Sequence, residues 1–209
     1  MQKTKQSSRA IKATFLGIIF LVATCFVTDE AFPYFLNFNI EQYRDYYWSS
    51  RWWLIGHLLG GGIALLLGPF QFSTTFRNRY ISLHRNLGKV FIIAIIIGSL
   101  CAVYMSFFVA PRVNISWSIS LFVMALAWFV SVLMAYRMIR LRRVPQHKEW
   151  MIRAYIITLA FVLFRILNKS SFVRDLMPTF EERGPACIWV AWVIPLFIAE
   201  VILQWKKKR

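Results

Sequence analysis

The sequence predicts an all-α integral membrane bundle of about six transmembrane helices, with the N and C termini both cytoplasmic. Three observations carry this. The chain is 58% hydrophobic and 16% charged, whereas soluble domains run at about 45 to 50% and about 25%. Its apolar residues gather in six runs of near-spanning length, and its basic residues gather between alternate runs.

A segment that crosses hydrocarbon must satisfy each backbone N–H and C=O within itself, which takes about 20 mostly apolar residues in a helix. The runs cover 13–28, 52–72, 90–110, 117–136, 151–167 and 186–205. They fill more than half of the chain and leave short connections, so 1–209 reads as a single helical membrane domain. The first run follows a basic lead and also fits a cleaved signal segment. The fifth has an uninterrupted apolar core only over 154–164, a length that also suits a buried or re-entrant element. It is counted as spanning because otherwise the Lys206 to Arg209 cluster would face outward.

Orientation follows from Lys and Arg, which concentrate in cytoplasmic loops. Eighteen of the 25 lie on one side, in clusters at Lys3 to Lys12, Arg77 to Lys89, Arg137 to Arg153 and Lys206 to Arg209. The other side holds six, Arg44, Arg51, Arg112, Lys169, Arg174 and Arg183, together with seven of the nine acids. This pattern predicts both tails on the cytoplasmic side. Trp48, Trp52, Trp53, Trp117, Trp150, Trp189 and Trp205 fall near the run ends, where amphipathic rings prefer the headgroup level.

A formal net charge of +16 invites a nucleic-acid reading. Orientation already accounts for the basic loops, so the expected partners are the lipid bilayer and anionic lipid at those loops, not nucleic acid. Cys25, Cys101 and Cys187 form no CxxC pair, which excludes disulfide frameworks and zinc ribbons. There is no HExxH metal motif and no serine nucleophile motif, so hydrolysis is disfavoured.

An ionisable side chain in hydrocarbon costs from about 3 to more than 10 kcal/mol, so each one needs a reason. His57 lies about 8 Å inside the outer boundary of the second run. Gly61, Ala64 and Gly68 continue its helix face, and Gly56 and Gly60 make an adjacent GxxxG pair, a surface for close packing or for a homo- or hetero-oligomer through the Gly56-Gly60-Gly61 region. His57 reads either as a packing histidine or as a ligand or proton relay. Arg165 falls level with it and reads either as its partner in an anion site or as a snorkelling cation. Glu200, in the inner third of the sixth run, pairs with a basic residue or snorkels.

His84 and His147 sit at the inner ends of the third and fifth runs. Two imidazoles at one depth on different helices can ligate one haem or metal ion. Arg85 and Arg153 would then meet haem propionates. Simple hydration beside Arg85 and Lys148 is the alternative. Gly68-Pro69-Phe70-Gln71-Phe72 should kink or stop the second helix, because proline lacks the N–H that its helix would use. Gln71 is placed to satisfy the freed carbonyl. Pro195 has the same local effect in the sixth run.

His57-x3-Gly61, Gly68-Pro69-Phe70-Gln71-Phe72, His84-Arg85-x2-Gly88, and His147-x2-Trp150-Met151-x-Arg153 followed by Arg165 together resemble a family of predicted bacterial multi-pass membrane proteins catalogued as a domain of unknown function. The resemblance covers roughly 52–168. It implies no established activity, but it implies that His57, Gln71, His84, Arg85, His147, Arg153 and Arg165 belong to one constellation, with remote similarity to membrane b-type cytochromes. Three function classes stand at this point. One is a haem- or metal-binding redox protein using His84 and His147. The second is a carrier of a small molecule, a proton or lipid using His57, Arg165 and Glu200. The third is a structural or assembly protein using the glycine face.

Overall fold

Each apolar run forms a helix, and most of the helices overshoot their runs. A computed structural model describes residues 2–205, with side chains for all of these except 2–9 and 44–46. The Lys206 to Arg209 cluster and the side chains of Lys3, Lys5, Arg9, Arg44 and Asp45, used above for orientation, lie outside the described residues. The helices are α1 (Gln2–Phe26), α2 (Pro33–Leu36), α3 (Ile40–Trp48), α4 (Arg51–Phe72), α5 (Thr74–Arg79), α6 (Ile81–Phe108), α7 (Ile115–Arg140), α8 (Val144–Lys169), α9 (Ser171–Leu176) and α10 (Phe180–Trp205), and α1 runs on through a π turn at Val27–Ala31. Six of them are long and apolar enough to cross a membrane, including the fifth run as α8. α6 and α8 begin well ahead of their apolar runs, so His84 and His147 are helical residues. Continuing the helix keeps their backbone groups paired through the headgroup layer while Lys and Arg heads reach water.

α4, α6, α7 and α8 form the core bundle, each packed on the next and α8 closing back onto α4. Gly56 against Cys101 with Gly60 against Gly98, Gly98 against Trp128 with Phe107 against Phe122, and Trp128 bonded to Thr158 with His147 bonded to Ala135 make the successive pairs antiparallel. α10 lies along α8 and α7, and α1 along α4. Phe91, Ile95, Met124, Trp128, Val132 and Ile157 are all essentially inaccessible at the centre.

α4 and α6 come into backbone contact. A methyl group at Gly60 would sit 2.8 Å from the Gly98 Cα, and one at Gly56 would sit 2.7 Å from the Cys101 Sγ. The GxxxG pair is therefore used inside the chain. Gly61 is buried yet has nothing within 4 Å of a Cβ position.

Local signals set the ends. Asn39, Ser73 and Asn114 cap α3, α5 and α7 by accepting from Gln42 N, Phe76 N and Trp117 N at 2.9, 3.2 and 2.7 Å, which satisfies otherwise orphaned N–H groups. α7 stops in a turn with Arg142 at φ 59°. Arg143 N donates to Met138 O at 2.9 Å and Arg142 N to Ile139 O at 3.0 Å, the pattern in which a left-handed residue closes a helix C-terminus. That turn delivers His147 back onto α7.

Candidate functional site

The Gly68-Pro69 pair organises the α4 end of the site. Pro69 cannot donate to the carbonyl four residues before it, that of Leu65. The Tyr155 hydroxyl of α8 donates to this carbonyl at 3.0 Å. The Tyr155 ring occupies the space a side chain at position 68 would need. The glycine admits the tyrosine, and the tyrosine repairs the proline. Tyr155, not Gln71, serves the freed carbonyl. The Gln71 Oε1 lies against Gly88 of α6, 3.2 Å from a Cβ position, and its Nε2 is buried without a hydrogen-bond partner.

His84 lies one turn before Gly88 on the same face of α6, since residues four apart in a helix are neighbours. Its Nδ1 is buried and has no hydrogen-bond partner. His147, at the start of α8, donates from Nδ1 to the Ala135 carbonyl of α7 at 2.8 Å. A carbonyl can only accept, so in the neutral ring this bond puts the lone pair on Nε2. His84 and His147 lie within electrostatic range of one another. The basic end of the bundle thus gathers two imidazoles and one amide, with two of their nitrogens buried and unused.

The remaining predicted residues are distributed differently. Arg85 is exposed on α6 beside His84. Arg153 closes on Glu200 of α10 through Nε and Nη2, the second at 3.0 Å, with Glu149 one turn away and its guanidinium 4.6 Å from the Trp150 ring centroid. Glu200 thereby pairs with a basic residue, and Arg153 is held away from a propionate role. Arg165 pairs with Glu30 at 3.5 Å, and Lys169 joins the same carboxylate.

His57 donates from Nδ1 to the Gly98 carbonyl at 2.9 Å, and its ring packs edge-on to Phe161 and Trp128 at 5.1 and 6.3 Å. It faces the bundle interior, while Arg165 turns to Glu30 and Glu200 to Arg153. The structure puts Gln71 against Gly88, one helical turn from His84, with His147 in electrostatic range of His84, and leaves His57, Arg165 and Glu200 in three separate places. Among the described residues, no point gathers three or more His, Cys, Asp or Glu side chains.

Sequence reasoning missed Tyr155, Thr158 and Asn114. Thr158 accepts from the Trp128 indole at 2.9 Å and donates to the Ala154 carbonyl. Asn114 donates to the Glu181 carbonyl at 2.9 Å, which is the carbonyl that Pro185 leaves free in α10. A proline in or at the edge of an apolar run, with a Tyr or Asn in or near another run, was the available signal.

Six antiparallel helices of spanning length, with polar side chains buried among apolar ones, define an integral membrane protein of the multi-pass helical class. The chain matches the family described as Predicted membrane protein (DUF2306) over residues 54–203, from α4 through most of α10, and it belongs to that family of unknown function. No curated protein and no solved structure matches it.

Proposed function

We propose that this membrane protein works in the redox class, holding a transition-metal centre, haem iron or a bare ion, between His84 and His147. One observation carries the reading: His84 Nδ1 is buried and unpartnered, at the end of the bundle where His147, its tautomer set by Ala135, is near enough to act on it electrostatically. A buried nitrogen without a partner is costly, so such groups mark places where a ligand completes the inventory. A ligating histidine characteristically donates its other ring N–H to a carbonyl, as His147 does.

The donor set fits an imidazole-bound metal. Arg85, exposed beside His84, suits an anionic substituent of that metal's ligand, whereas Arg153 does not, being closed on Glu200. Such a centre would supply one-electron transfer. The protein's own contribution is to orient two rings from α6 and α8 and to place the Gln71 amide as a hydrogen-bond donor beside them. The excess of basic residues at this end supports its placement at the cytoplasmic face of a bacterial inner membrane.

Optical spectra and metal analysis of the detergent-purified chain test the reading. A Soret band that shifts on reduction identifies haem, and bound metal without that band identifies a bare ion. Neither signal, in protein supplied with haem and with metal during expression, rules the proposal out.

A further inference from the structure

A second feature lies away from the His84 and His147 pair, in the other half of the bundle. A cavity of about 50 Å³ opens between α4, α6, α7 and α8, and its lining includes His57, Met105, Met124, Trp128 and Phe161. His57 has committed Nδ1–H to Gly98, so the lone pair its ring offers here is on Nε2. Trp128 has committed its indole N–H to Thr158. Of the residues lining the cavity, those with a metal donor still to offer are His57, through Nε2, and Met105 and Met124, through their thioethers, and apart from Trp128 the other lining residues are apolar.

That set is selective. Magnesium and calcium need several oxygen ligands. Structural zinc sites draw chiefly on thiolate, imidazole or carboxylate. Soft thioethers favour Cu(I), a singly charged ion. Single charge matters in a wall without a carboxylate, because the cost of bringing an ion out of water rises with its charge. The aromatic rings of Trp128 and Phe161 add partial compensation for a cation. A cavity of this size accepts one ion or one to two waters.

The geometry points to a Cu(I) site in the bundle core, formed by His57 Nε2 and the Met105 and Met124 sulfurs. Its donors are distinct from those of the His84 and His147 pair, so either site can fail alone.

Anaerobic titration of the full-length chain in detergent with Cu(I), against a chromophoric Cu(I) chelator, tests the inference in a His84→Ala/His147→Ala background. One equivalent of Cu(I) is expected. Met105→Leu and Met124→Leu keep the side-chain volume nearly unchanged, and each is expected to weaken binding by at least about tenfold, the lower range for loss of a mere supporting partner. His57→Leu is expected to do the same, and X-ray absorption should show sulfur bonded to copper. A matched thermal melt in detergent confirms that the variants fold. No Cu(I) retained, affinity unaltered in both methionine variants, or a copper spectrum without sulfur overturns the site.

Discussion

Leu65 carries the most informative single contact in the molecule. Proline at 69 removes one hydrogen bond from α4, and a hydroxyl on α8 replaces it. In a membrane such interhelical bonds are worth about 0.6 kcal/mol on average and at most about 1.7. Tyr155→Phe should therefore destabilise the protein by about that amount in reversible unfolding in detergent. In a Pro69→Ala background the helix supplies its own N–H, and the same substitution should then cost close to nothing. An equal cost in both backgrounds contradicts the assignment. The proline and its consequence were legible in the chain, but the partner was not. Gln71 is near in sequence, whereas Tyr155 is reached only by knowing which helix faces α4. His57 shows the same limit: its burial was readable, but its commitment to Gly98 on another helix was not.

Between elements, close approach decides more than composition. Gly60 and Gly61 are adjacent small residues on α4, and periodicity alone treats them alike. Only Gly60 meets a neighbouring backbone. Gly60→Ala should push α4 from α6 and cost about 1 to 3 kcal/mol, the range for overpacking a close-fitting interface. Gly61→Ala, with open space around its Cβ position, should unfold at nearly the wild-type denaturant midpoint. Equal losses at both positions refute this account of the crossing. The α8 and α10 pair makes a second prediction. Removing one partner of the Arg153 and Glu200 pair leaves the other poorly compensated. Arg153→Ala should lower the melting temperature more than the double variant Arg153→Ala/Glu200→Ala does, and the reverse order would dissociate the pair from stability. Helix existence was plain in the apolar runs. Helix ends were not, because backbone pairing continues past the last apolar residue, which is how His84 and His147 became helical.

Across the whole molecule, charge separates the two ends of the bundle. Arg77, Arg79, Arg137, Arg140 and Arg142 mark one end, and Asp29, Glu30, Asp175, Glu181 and Glu182 the other. The positive-inside rule then predicts both tails on the cytoplasmic side. Reporter fusions before α1 and after α10 should both report a cytoplasmic location, and a fusion in the α6 to α7 connection should report the opposite face. Tails on opposite faces would break the even-numbered topology. The six-helix architecture was legible because hydrocarbon demands long unbroken apolar runs. The site was legible only in part. The sequence identified the histidines and Gln71 as polar groups needing a reason, yet it grouped His57 with Arg165 by depth alone, and depth does not say which face of a helix a side chain occupies.

The central claim is that His84 and His147 act as one site. Measuring bound metal or haem per chain in the wild type, His84→Ala, His147→Ala and the double variant tests it most directly. Shared ligation predicts that each single substitution removes as much bound ligand as the pair does, with circular dichroism unchanged. Full occupancy in either single variant, or losses that simply add, would contradict it.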